Sequence, residues 1–297
     1  MDNPVTHAAD FFGDNSPDAT KAISRSLGNR LLTGLCIGLS FLAMVPLVSI
    51  LCLVVKNGLP LLDWSVFTEL PPAAGMTGGG FGNAAVGTLT MVGLGLALAA
   101  PPAVLAAIYI CEYDPRGRLA GTVRFVAKLL TGIPSIICGV FAFAAVVVVT
   151  GKFSAVAGGV ALAVLMLPTI LLTAEQALLG VQNTYREASY GLGATRFQTV
   201  FRVVLPGALP AIMTGVMLAV ARAAGETAPL VFTALFSQFW ASSLMEPTAS
   251  LSVLIYNFST MPFEHQVKMA WTASLVLVLL VTLTNVTAQL VFSRRSP

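Results

Sequence analysis

LLTGLCIGLSFLAMVPLVSILCLVV, the run from Leu31 to Val55, holds 25 residues without one Asp, Glu, Lys or Arg. At about 1.5 Å of rise per residue, a helix of this length exceeds the roughly 30 Å of a bilayer's hydrocarbon core. It is too long for a buried strand and lacks the alternation of a barrel strand. It is also longer than the apolar part of a signal peptide, and no A-x-A-like site follows it, so it reads as a permanent span. Five further stretches meet the same test: Ala84 to Cys111, Leu129 to Thr150, Val156 to Ala174, Ala208 to Phe236 and Met269 to Phe292. The expected fold class is all-α, a polytopic membrane protein with six transmembrane helices.

Composition agrees. The chain carries 16 Lys and Arg and 13 Asp and Glu in 297 residues, 56% of its residues are apolar and its mean hydropathy is +0.86. Soluble domains carry roughly one charge in four residues, so this chain cannot cover itself with a water-compatible surface, and a soluble enzyme is excluded. Disorder needs the opposite bias, and a net charge of +3 supplies no basic face for nucleic acid.

Lys and Arg in short loops resist translocation and so set orientation. Lys21, Arg25 and Arg30 precede the first stretch. Arg116, Arg118, Arg124 and Lys128 lie between the second and third, Arg186, Arg196 and Arg202 between the fourth and fifth, and Arg294 and Arg295 after the sixth. Only Lys56, Lys152 and Lys268 fall on the other side. Both termini are therefore expected in the cytoplasm, with Trp64, Trp240 and Trp271 beside the opposite membrane surface. Asp2, Asp10, Asp14 and Asp18 mark an acidic cytoplasmic tail.

Other residue types carry no chemistry. Cys36, Cys52, Cys111 and Cys138 lack C-x-x-C spacing and read as small apolar fillers, and His7 and His265 stand alone on opposite sides. The glycines from Gly78 to Gly82 are followed by no G-K-[ST], and no Walker A sequence occurs, so nucleotide hydrolysis is expected only from another subunit. Pro46, Pro101, Pro102, Pro134 and Pro168 read as packing kinks.

Arg222 and Glu226 are different. They stand inside the fifth stretch, in ARAAGETAP from Ala221 to Pro229. A charge at the bilayer centre costs about 2.5 to 3.5 kcal/mol on insertion scales. Their i, i+4 spacing places both on one helix face, where an ion pair that merely makes the helix insertable is the rival reading. Intramembrane charges face a bundle interior or a water-filled path, which favours transport. Pro229 leaves the Gly225 carbonyl without its helical donor and Gly225 weakens the same turn, so the helix is expected to kink or break there. Irregular backbone at membrane depth is tolerated where it lines a cavity. A guanidinium there suits a tetrahedral oxyanion, with Glu226 limiting how tightly it is held.

The cytoplasmic segment from Thr184 to Pro206 predicts a short helix before Gly191 and Gly193 and a second one capped by Thr195. Phe197, Val200, Phe201 and Val204 recur at i, i+3, i+4 and i+7, an amphipathic pattern that suits lipid, the protein's own helices or a groove on a partner. Here Glu187-Ala188-Ser189, then Gly193, then Leu205-Pro206 resembles the E-A-A…G…L-P loop of permease subunits of ATP-binding-cassette importers. Ser189 replaces the usual second Ala. Taken alone, Glu187 is a solvated loop carboxylate; the motif makes it part of a coupling helix that docks on the ATPase. The run from Arg222 to Ala234, with Gln238-Phe-Trp240, Asn83-Ala-Ala-Val-Gly87 and Ile108 to Tyr113, is similar to the PstA family of phosphate-importer permeases.

That resemblance implies a type I importer permease of MetI-like fold. Residues 1–30 would form the tail, 31–83 the first helix and outer loop, 84–292 the permease core with the coupling loop at 184–206, and 293–297 the cytoplasmic C-terminus. The chain would sit in the bacterial cytoplasmic (inner) membrane, with no cofactor of its own, ATP and Mg being held by the partner ATPase. Its partners would be a PstC-like permease, two PstB-like ATPase subunits, a PstS-like phosphate-binding protein and inorganic phosphate, which would pass Arg222, Glu226 and Thr227. A permease for sulfate or molybdate, a proton-coupled carrier using the same two charges, and a membrane scaffold or sensor without transport remain as alternatives.

Overall fold

A computed structural model of the chain describes residues 19–293, so the acidic tail residues, His7, Arg294 and Arg295 lie outside it. α1 runs from Ala19 to Gly58 and includes the whole Leu31–Val55 stretch. It begins inside the segment expected as a tail, because a helix once nucleated propagates through residues that carry no proline. Residues up to Leu53 form one unit and residues from Val54 a second.

The second unit is built of helices in the order α2 (Ser65–Thr68), α3 (Gly82–Ile108), α4 (Arg118–Thr131), α5 (Ser135–Ala142), α6 (Val148–Thr150), α7 (Ala155–Leu179), α8 (Asn183–Gly191), α9 (Arg196–Thr199), α10 (Leu205–Ala224), α11 (Ala228–Thr233), α12 (Leu251–Ser259) and α13 (Glu264–Ser293). π turns at Tyr109–Tyr113, Phe143–Val147 and Val200–Val204 extend α3, join α5 to α6 and join α9 to α10. Five helical spans among the described residues are long and apolar enough to cross a membrane, and there are six if the bent pair Arg118–Thr131 and Ser135–Thr150 counts as one span.

α3 and α7 pack along each other in the same direction. Gly95 lies against Gly159 and Leu162, and Cys111 approaches the Glu175 carbonyl. Gly95, Ala99, Ala103 and Ala107 recur every fourth residue and are buried, a ridge of small side chains that lets two backbones approach where lipid supplies no hydrophobic drive. α10 packs antiparallel on α7, with Gly215 against Thr173 and Gly207 near Val181. A second cluster around Phe81, Leu254, Phe258 and Met269 joins α12 and α13 to the start of α3. Leu98, Leu105, Leu218 and Leu283 are exposed, as apolar side chains are when their solvent is hydrocarbon.

One stretch differs from the sequence expectation. Leu129 to Thr150 is not one straight span: Leu129–Thr131 end α4, and the chain turns by 106° into α5 across Gly132-Ile133-Pro134. Pro134 is thus a break rather than a packing kink, because it follows a glycine two residues back and cannot donate to the preceding turn. Ala208 to Phe236 is divided at the turn where Gly225 and Pro229 predict a kink or break, α10 closing at Gly225 and α11 opening at Ala228. Pro46, Pro101, Pro102 and Pro168 lie inside continuous helices.

Candidate functional site

The break between α10 and α11 holds the two isolated charges. Gly225 closes α10, its N–H donating to the Arg222 carbonyl, and the Glu226 N–H donates to Ala223. Thr227, half-buried, precedes the first residue of α11, and Pro229 sits in that helix's first turn, where a missing N–H costs nothing. Arg222 Nε lies 3.5 Å from Glu226 Oε1. The pair does not share one helix face as its spacing predicted; it reaches across the end of α10, because Glu226 lies beyond the last helical turn. Its cation stands in that last turn, where the helix dipole favours positive charge. The Arg222 side chain is 52% exposed and that of Glu226 16%. The guanidinium thus keeps donors free on the open side of the chain.

Neighbours far away in sequence fix this break. Ser252 Oγ donates to the Glu226 carbonyl at 2.8 Å and lies 3.2 Å from Ser250 Oγ. The Leu251 N–H donates to Thr88 Oγ1 on α3 at 2.9 Å. On the other side Gly139 of α5 meets Pro229 so closely that a Cβ there would lie 2.6 Å from the proline Cα. The bend at Pro134 therefore brings α5 onto α11, and the two irregular segments brace each other. Sequence reasoning does not single out Ser252 or Gly139. The polar run Thr248-Ala-Ser-Leu-Ser252 before an apolar helix is the available signal for the first; Gly139 has none.

The Glu187 segment lies at the opposite end of α10. Glu187 and Ala188 are exposed on α8, and Ser189 Oγ meets Thr199 Oγ1 at 2.9 Å. Gly193 has φ +82°, a left-handed turn that an L side chain resists. Thr195 caps α9 in a full capping box with Gln198. The π turn changes the expected amphipathic face: Val200 and Val204 are buried, while Phe197 and Phe201 turn outward against each other, ring centroids 4.5 Å apart. Leu205 and exposed Pro206 begin α10. Leu192, 90% exposed, projects from this end. The two regions are thus separate, joined by the length of α10.

With this geometry, the sequence profile described as "Binding-protein-dependent transport system inner membrane component" matches residues 99–296. The phosphate transport system permease protein PstA of Yersinia pestis is 35% identical over 267 residues, covering 90% of both chains. The chain belongs to the PstA family. The PstA of Haemophilus influenzae is 37% identical over 271 residues, 91% of this chain and 96% of that one. A probable PstA of Methanocaldococcus jannaschii is 33% identical over 89% and 93% of the two chains. Among solved structures, an inward-facing MetNI methionine ABC transporter aligns with TM-score 0.59 at 23% identity, covering 72% of this chain and 94% of that one. A bacterial alginate ABC transporter aligns with TM-score 0.65 at 15% identity over 93% and 97%. The six-span MetI-like permease fold is therefore the fold of this family member. It is an inner-membrane component of a binding-protein-dependent transport system.

Proposed function

We propose that this chain is the permease subunit of an ATP-driven phosphate importer, forming half of the path for inorganic phosphate. The observation that carries the reading is the half-exposed Arg222 guanidinium beside Glu226 at a broken helix, in a chain whose relatives are named phosphate transport permeases. An always-charged planar cation with free donors suits a phosphate oxyanion. The neighbouring carboxylate weakens the hold, which a path that must release its ion requires. Thr227 lies at the same break, and Gly225 with Pro229 keep it open. Those names favour phosphate over sulfate or molybdate.

Glu187, Ala188, Ser189, Gly193, Leu205 and Pro206 then form the contact with a separate ATPase, which holds ATP and Mg. A PstC-like sister permease supplies the other half of the path, two PstB-like subunits hydrolyse ATP, and a PstS-like protein delivers phosphate. Both termini lie in the cytoplasm. Arg222→Gln in the reconstituted complex is expected to abolish ATP-dependent phosphate uptake, whereas Arg222→Lys retains a part because it keeps the charge without the fork. Normal uptake by the Gln variant would refute the assignment of Arg222 to the path.

A further inference from the structure

Four charged side chains away from the helix break meet at the Glu187 end of the bundle. Glu112 lies in the π turn that ends α3, Arg124 in α4, Glu175 near the end of α7 and Arg186 in α8. Glu112 and Glu175 stand one residue beyond two of the apolar stretches. Arg186 Nη2 donates to Glu112 Oε1 at 2.6 Å and its Nε to the same carboxylate at 3.2 Å. Its Nη1 reaches the Val181 carbonyl at 2.6 Å and Nη2 the Leu178 carbonyl at 2.9 Å. One guanidinium of α8 therefore grips the end of α3 and also bonds the Leu178 carbonyl in the last turn of α7 and the Val181 carbonyl just beyond it. The side chains are 15% and 7% exposed, so water does little to replace either partner.

Arg124 completes the frame. It donates to Glu175 at 2.5 Å, to the Ile110 carbonyl at 2.9 Å and to the Pro115 carbonyl at 3.0 Å. Arg196 of α9 sits over the Tyr113 ring, 5.2 Å from its centroid. Both halves of the loop are thus fastened by cations to the end of α3. Within the loop, by contrast, the side-chain hydrogen bond between α8 and α9 is a neutral hydroxyl pair, Ser189 to Thr199, and α9 passes into α10 through a π turn.

We infer that Arg186 and Glu112 are the positioning residues that deliver movement of the loop to α3 and α7, so that α8 travels with these two helices as one body. The inference rests on reading α8 as the ATPase contact. Two helices apart in sequence are joined to α8 by a buried forked ion pair and two carbonyl bonds, a contiguous network of the kind that can carry coupling between distant sites.

Two measurements on the assembled complex in proteoliposomes test it. Arg186→Gln and Glu112→Gln are each expected to lower phosphate carried per ATP hydrolysed by roughly tenfold, with hydrolysis itself kept. The double variant should lose no more than either single one. Spin labels at Thr184 on α8 and Leu105 on α3, with Cys36 and Cys52 replaced by alanine, should keep their separation to within about 2 Å between the nucleotide-free and ATP-bound states. A wild-type ratio in the Gln variants, multiplied losses in the double variant, or a larger change between the labels would overturn the inference. The label pair decides if the variants fail to assemble. Absence of phosphate transport by the wild-type complex would instead sink the functional reading, while the label separation would still report whether α8 moves with α3.

Discussion

At the scale of single residues, Gly139 shows how little space the site leaves. A methyl group there would be forced against the Pro229 backbone, which cannot swing aside as a side-chain tip can. Overpacking of this kind costs about 1–3 kcal/mol. Gly139→Ala should therefore lower the thermal midpoint of the purified complex by several degrees. Gly121, inside α4, is the control, since a methyl group added there would meet nothing within 4 Å. Gly121→Ala should keep or raise the midpoint, because alanine favours helix by about 1 kcal/mol. An equal fall for both would show that the α5–α11 contact does not limit stability. Arg222, Glu226, Gly225 and Pro229 are legible in the sequence because each violates what an apolar helix wants. Gly139 and Ser252 are not, since both look ordinary along the chain and gain their meaning from partners 90 and 26 residues away. Glu112 and Glu175 escape notice for a related reason. A carboxylate just past a span reads as solvated until a guanidinium is found against it.

Among the elements, the segment from α8 to α10, proposed as the contact with the ATPase, depends on local backbone chemistry. Gly193 in the left-handed region separates α8 from α9, and a β-branched residue there costs about 1–3 kcal/mol. Loss of the Thr195 cap costs about 1 kcal/mol. Gly193→Val should thus displace α8 relative to α9 and lower the yield of a crosslink between Ala188→Cys and the ATPase. Thr195→Ala should lower it less. An undiminished yield with Gly193→Val would show that the turn does not set the docking geometry. The spans themselves are legible because hydropathy accumulates over about 20 residues whatever lies around them. Hydropathy has no direction, however, so the 106° turn at Gly132-Ile133-Pro134 disappears inside an apolar run. The π turn at Val200–Val204 is equally silent. It adds one residue to a turn without any marker residue, and so rotates Phe197 and Phe201 away from the face that regular helical spacing gives them.

For the whole molecule the question is which end of the bundle faces the cytoplasm. α7 is 25 residues long, about 37 Å, so its two ends lie on opposite sides of a hydrocarbon core. Its C-terminus adjoins α8, and Leu192 projects beyond it. Its N-terminus adjoins the segment after α11, where the Val156 N–H donates to the Leu244 carbonyl and Ser243 is exposed. Trp240 lies at this second end, packed over Gly82 at the start of α3. Basic residues concentrate at the first end, with Arg116, Arg118, Arg186, Arg196 and Arg202 all on the segments around α8 or the end of α3. Short basic loops stay in the cytoplasm, and interfacial tryptophans do not decide between the sides, so the charges set the expectation. With Cys36 and Cys52 replaced by alanine, and Cys111 and Cys138 buried, a membrane-impermeant maleimide should modify Leu192→Cys only in inverted vesicles. It should modify Ser243→Cys only in right-side-out cells. The reverse pattern would place α8 outside the cell, where no ATPase could reach it, and would overturn the coupling role of Glu187 together with the orientation.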